Sequence, residues 1–336
     1  MIKDKFYSVK KLFLLKNEQM KPIFLMLLLF FITAACDDGD LTVETIDFSE
    51  VNAQKCPQKE IILKLKDTEM LLLEIPSSEF ESDITPEDEP TLVPLSETIK
   101  VTYRQYNGTV SSNNICLEVP LATPIVTEEW TATSGTIEIT TTAVKNVNTT
   151  TNATRITGYK HNIVFRNITW QKPSGLQVES EFVFGDYTIP VSALAFGFDE
   201  ELEKSTCDNR IFDFNGGEAF ILDIDDFGSL FENVATTTPR TALISNDNKL
   251  TYKLFSNTIS TSYFCTTPTP VLPVVNQEWN AINGVAGVSG IIEVTTTQSG
   301  NSFIHTILLK KVTLKKGLSD FYLGDEYLYG SLITNP

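Results

Sequence analysis

Along Gly158 to Trp170, GYKHNIVFRNITW, apolar and polar positions alternate. Tyr159, His161, Ile163 and Phe165 share one parity; Lys160, Asn162 and Arg166 share the other. A period of two marks a strand with one face in a core. Runs of strand length come before it: Leu41 to Phe48, Ile61 to Leu65, Met70 to Ile75 and Ile99 to Tyr106. Thr136 to Val144 is β-branched and Thr-rich, which suits a pleated surface. Val178 to Tyr187 closes the series, while residues 76–97, with four prolines and several acids, read as a loop. Helical periodicity beyond two turns occurs only near the N-terminus, so the chain reads as all-β.

The pattern is written twice. Pro124 to Trp130, PIVTEEW, returns as Pro273 to Trp279, PVVNQEW, 149 residues on. The same offset carries Val101-Thr102-Tyr103-Arg104 onto Leu250-Thr251-Tyr252-Lys253, Cys116 onto Cys265, and Glu69 with Leu73 onto Glu218 with Leu222. A shared offset over such a span marks an internal duplication. Gly135 to Thr140 answers to Gly290 to Thr295 at offset 155, and the His161 strand to Phe303, His305, Ile307 and Leu309 at offset 144. Glu181 to Asp186, EFVFGD, matches Asp320 to Asp325, DFYLGD, at offset 139. The fall of eleven between the Thr-rich and His strands lies where the first copy has KNVNTTTNAT and the second QSGN. Such length differences collect at exposed hairpin tips. The last three strands of each copy are therefore expected to form an antiparallel meander. The expected architecture is two tandem β-sandwich-like modules, residues 41–190 and 191–336, with meander barrels as the alternative.

Net charge over the 336 residues is −17. Residues 1–35 hold six lysines and two acids, which leaves 20 basic against 41 acidic groups beyond them. So acidic a surface repels nucleic acid, which is excluded as a partner. Pro22 to Ile32, PIFLMLLLFFI, is too short to span a bilayer as a helix and fits the apolar segment of a secretory signal peptide. Met20-Lys21 offers a second start for that signal.

Thr33-Ala34-Ala35-Cys36 resembles a bacterial lipobox, and Asp37-Asp38-Gly39-Asp40 resembles the acidic export signal of surface lipoproteins of Bacteroidota. The resemblance implies a signal peptide over 1–35, acylation of Cys36 as the mature N-terminus, an acidic tether over 36–40, and attachment to the outer membrane facing the exterior. It names no family for the duplicated module.

With Cys36 assigned to lipid, four cysteines remain in an exported chain, where disulfides persist. Treating both copies alike favours Cys56–Cys116 and Cys207–Cys265; the alternative is buried free thiols. Closing a loop of that length is worth roughly 4 kcal/mol by chain entropy. His161 and His305 hold equivalent inward positions without a ligand-spaced partner, so core histidines are expected and no metal or cofactor. Glu129-Trp130 and Glu278-Trp279 are candidate ligand-binding residues, because an indole beside a carboxylate can form a sugar platform. Their other reading is core closure. Neither a pair of marked carboxylates nor a GxSxG serine occurs, and no catalytic residue is assigned. An acidic run with Asp213, Asp223, Asp225 and Asp226 lacks calcium-loop spacing. The leading expectation is a non-catalytic surface lipoprotein with a binding or structural role. A glycan-binding or carbohydrate-active accessory protein is the alternative, and a subunit of a larger outer-membrane assembly is a third class.

Overall fold

The computed structural model describes residues 45–266 and 270–335. The lipobox, the acidic tether and the first half of the expected 41–48 strand lie outside them; residues 45–48 have no regular structure. In the first copy the strands are β1 (Gln54–Lys55), β2 (Ile61–Lys66), β3 (Glu69–Glu74), β4 (Thr91–Pro94), β5 (Lys100–Tyr106), β6 (Val126–Val147), β7 (Thr154–Lys172) and β8 (Gly175–Pro190). They form one sheet in the order β1-β2-β3-β5-β6-β7-β8, with β4 on the side of β6. Thus the loop expected over 76–97 contains a strand.

The second copy has β9 (Glu201–Lys204), β10 (Arg210–Asn215), β11 (Glu218–Ile224), β12 (Arg240–Leu243), β13 (Asn248–Phe255), β14 (Val275–Ala281), β15 (Ile291–Ser299), β16 (Ser302–Lys310), β17 (Thr313–Lys316), β18 (Ser319–Tyr322) and β19 (Glu326–Thr334). Each of the three long strands of the first copy is here broken in two. The break between β14 and β15 is the segment 282–290, which accounts for the rise in offset from 149 to 155. The first copy bends at the same place without interruption. There Gly135, at φ 140°, lies within the register shift between Ser134 and Thr136, and a Cβ on it would meet Ile168 Cα at 3.0 Å.

All-β character and the two modules are as expected. Each module is a curled, half-barrel-like sheet rather than a pair of stacked layers, nearer the barrel alternative. In the second copy β19 pairs in parallel with β9 through Ser331 and Leu332 against Glu201 and Leu202, so the sheet returns on itself. In the first copy β8 is the last strand of its sheet. Both disulfides expected from the duplication are present, Cys56–Cys116 and Cys207–Cys265.

Register corrects one correspondence. Gly185 lies opposite Ile163, and Gly330 lies opposite Ile307, each at the bulge of its strand pair. The counterpart of EFVFGD is therefore EYLYGS, Glu326–Ser331, and not DFYLGD. Buried Phe184 answers to buried Tyr329. The DFYLGD match is a local coincidence of an aromatic pair with a Gly-Asp.

The eleven extra residues of the first copy lengthen the β6–β7 hairpin into an arm. Its tip is exposed, as hairpin length differences imply, yet one side docks on the second module. Tyr322 N donates to Thr154 Oγ1 at 2.7 Å, and Asp325 N to Thr151 O at 2.9 Å. Lys145 pairs with Asp320 at 2.7 Å, and Asn152 Nδ2 donates to Asp325 at 2.7 Å. Arg155 anchors the contact. Its guanidinium donates to the carbonyls of Thr154 and Tyr322 and lies 4.6 Å over the ring of Phe196 and 5.5 Å from that of Phe321. Ile156 and Tyr159 of β7 complete the core built on Phe220, Leu222, Tyr252 and Trp279. Replacing Arg155 with Ala removes two hydrogen bonds and two ring contacts. It is expected to lower unfolding free energy by about 2 to 3 kcal/mol, read as an earlier urea midpoint. An unchanged midpoint would mean that the arm contributes nothing.

Candidate functional site

The residues that the copies share converge inside each curled sheet. In the second module Tyr252 donates its hydroxyl to Glu218, whose two oxygens also accept Ala195 N at 3.0 Å and Gly197 N at 3.3 Å. Glu218 thereby holds the linker that carries Phe196, stacked 4.7 Å from Tyr252. Burial, then the Glu218 carboxylate, holds the Tyr252 phenol far above its ordinary value. In the first module Tyr103 donates to Glu69 at 2.6 Å. Trp130 lies 5.0 Å from Tyr103, with Lys172 Nζ 4.2 Å over its indole; Lys316 Nζ lies 5.1 Å over Trp279. Each indole N–H donates two residues back, to Glu128 at 2.7 Å and to Gln277 at 3.0 Å.

This placement overturns the sugar-platform reading of the tryptophans. Trp130 and Trp279 are each 3% exposed, and each lies under a lysine. Glu129 is paired with Arg104 at 2.6 Å and Glu278 with Lys253 at 3.0 Å, equivalent cross-strand ion pairs on the outer face. These four residues close and brace the modules. Period-2 reasoning misses this because the parity of a Trp says which face it takes, not what covers that face.

The histidines are buried, His161 at 1% and His305 at 0% exposure. Nδ1 of each lies 2.8 Å from a threonine hydroxyl, Thr141 for His161 and Thr296 for His305. The amides of those threonines donate in turn to Thr85 and Thr236. Phe80 packs 4.9 Å from His161, and Phe231 packs 5.6 Å from His305. At Nε2 the copies differ. His305 meets Thr334 Oγ1 at 2.9 Å, whereas His161 Nε2 has no hydrogen-bond partner among the described residues. Burial lowers the His161 pKa to about 4; burial, then Arg240, lowers that of His305. Among the described residues no group of three His, Cys, Asp or Glu side chains could hold a metal ion. The acidic run is split by its own register: Asp213 is buried, while Asp223, Asp225 and Asp226 are exposed.

One equivalent pair has inverted charge. Lys64 donates to Phe48 O at 3.0 Å, and Asp213 accepts from Glu200 N at 3.0 Å. Both are buried, and both tie the segment that enters their module to its wall. Burial raises Asp213 to about 6. Between the modules a cavity of about 90 Å³ is lined by Arg155, Tyr159, Gln277, Trp279, Lys316 and Ser82, among others. Its size suits a few waters rather than a substrate.

No known protein family, curated protein or solved structure matches the chain.

The two shifted groups give pH dependences of opposite sign. A depressed histidine contributes stability that is full above about 6.5 and lost as pH falls toward 4, about 3 kcal/mol for a shift of this size. Asp213, raised from 3.8 to about 6, contributes stability present below 3.8 and lost as pH rises through 6. His161→Gln is therefore expected to flatten the acid loss of stability between pH 6.5 and 4, and Asp213→Asn to steepen it. Denaturant midpoints taken across that range check both; equal slopes in all three proteins would contradict the assignments.

Proposed function

We propose that the chain is a non-catalytic lipoprotein of the outer membrane, exposed at the cell surface, whose two modules act together as one binding or structural unit. The observation that supports it best is where the shared residues go. Glu69 and Glu218, Tyr103 and Tyr252, Trp130 and Trp279, His161 and His305 are all engaged inside the fold, with none converging on an open cleft. Two copies braced in this way offer surfaces rather than a reaction centre. The lipobox-like Thr33 to Cys36 and the acids after it support an anchored, exported chain. The membrane is then a partner through lipid on Cys36, and an outer-membrane protein is the expected second partner.

Cys36→Ala is expected to abolish palmitate labelling and to release the chain from the membrane fraction. Unchanged labelling or retention would defeat the anchor. Periplasmic or surface disposition is read by protease accessibility of intact cells, with degradation expected for the surface reading.

A further inference from the structure

The duplication supplies an internal control for the cavity between the modules. Arg155, Lys316, Gln277, Tyr159, Ser82 and Ser192 make its polar wall, and among the described residues no carboxylate lines it. That is unexpected in a chain so rich in acids. Arg104, Arg166, Arg210 and Arg240 each pair with a carboxylate. Arg155 does not: its Nη1 donates to the carbonyls of Thr154 and Tyr322, and among the described residues its Nε and Nη2 have no hydrogen-bond partner. Lys316 Nζ reaches only Ser82 O, at 3.5 Å, and the face of Trp279. The oxygen of the Gln277 carboxamide accepts the Trp279 indole N–H, which fixes the amide and leaves its nitrogen as a spare donor.

The equivalent place in the first module is built otherwise. Lys172 lies over Trp130 as Lys316 lies over Trp279, but the Trp130 indole N–H donates to a carboxylate, Glu128, where the second copy has Gln277. Lys172 also donates to Gln177 at 3.0 Å. The second copy has thus lost a negative charge at this point and, with the arm, gained Arg155. Two neighbouring carboxylates are already engaged elsewhere. Asp83 accepts from Ser319 N at 2.8 Å, Ser319 Oγ at 2.6 Å and Leu318 N at 3.3 Å, and Asp320 is paired with Lys145. Burial lowers the pKa of Arg155, as it does for a cation without a compensating charge.

We propose that this cavity binds a short-chain carboxylate, held by Arg155 and Lys316 between the two modules. A guanidinium fork matches the planar carboxylate, and the Gln277 amide adds a neutral donor. Ile156, Val191 and Leu194 supply an apolar wall for the short tail, which a tetrahedral oxyanion such as phosphate lacks. A cavity of about 90 Å³ has room for acetate or propionate in place of a few waters, and none for a sugar ring. Ser82 and Ser192 are exposed and mark its opening. Because arm, linker and second module all contribute to the wall, the bound acid is a structural ligand that ties them together. The inference draws on neither the lipid anchor nor a protein partner, so failure of those readings leaves its test unaffected.

Sodium acetate, propionate and phosphate are titrated into the isotope-labelled full chain at constant ionic strength, with chloride as the reference anion. Acetate and propionate are expected to shift the Trp279 indole N–H resonance saturably, with a dissociation constant on the order of 1 mM for so few atoms. The Trp130 indole N–H, beside Glu128, is expected to stay still. Lys316→Gln is expected to weaken binding at least tenfold. Gln277→Glu places the first-copy residue, keeps an acceptor for the indole N–H, and is expected to abolish binding with the folded spectrum intact. Acetate is expected to raise the thermal midpoint of the wild type and to leave that of Gln277→Glu unchanged. Any of four results would overturn the proposal: no saturable shift at Trp279, an equal shift at Trp130, phosphate binding as tightly as acetate, or undiminished binding by Gln277→Glu.

Discussion

The structure depends on an arm that leaves one module to complete the other. Arg155 is the centre of that contact. A guanidinium stacked on Phe196 and bonded to the Tyr322 carbonyl keeps its charge while losing much of its water, a state that flat aromatic faces and carbonyl oxygens support. Around it Ile156 and Tyr159 enter the core of the second module. The linker comes in from the other side, with Phe196 on Tyr252 and its amides on Glu218. Two sequence-distant segments, the arm and the linker, thus meet at Phe196, and neither module's mouth can be rearranged without disturbing the other.

Duplication explains what recurs and divergence explains the rest. The Glu–Tyr–Trp–Lys set and the Thr–His–Phe set recur because each fills a curled sheet, and in both copies the histidine Nδ1 is bonded to its threonine. Differences lie where the copies have different neighbours. Lys64 and Asp213 tether entering segments by opposite charges. By register Ile189 takes the place that Thr334 holds in the second copy, and among the described residues Nε2 of His161 has no hydrogen-bond partner. The first module leaves β8 open, whereas the second closes on β9.

Much of this was legible in the sequence. The offset of 149 located the module, the disulfide pairs and the equivalent tryptophans, because backbone period and chain distance survive duplication. His161 and His305 fell on the inward parity and are buried. What was not legible depended on contacts between distant segments. EFVFGD matched the wrong hexamer because five or six letters cannot record which glycine faces Ile307. The KNVNTTTNAT insertion reads as a polar hairpin tip, and nothing in its composition announces that Thr154 and Arg155 meet Tyr322. Trp130 beside Glu129 reads as a platform or, more often, as a core plug; its burial and the lysine above the ring decide.

The central claim is that the arm makes the two modules one cooperative unit. Differential scanning calorimetry tests it most directly, on the wild-type chain and on a chain whose residues 145–157 are replaced by a Gly-Asn turn, so that Val144 and Gly158 flank it as Ser299 and Ser302 flank that of the second copy. The account predicts one transition for the wild type, and for the shortened chain two separated transitions, with the second module melting first because it has lost its lid. Two transitions in the wild type, or a single unshifted transition in both chains, would contradict it.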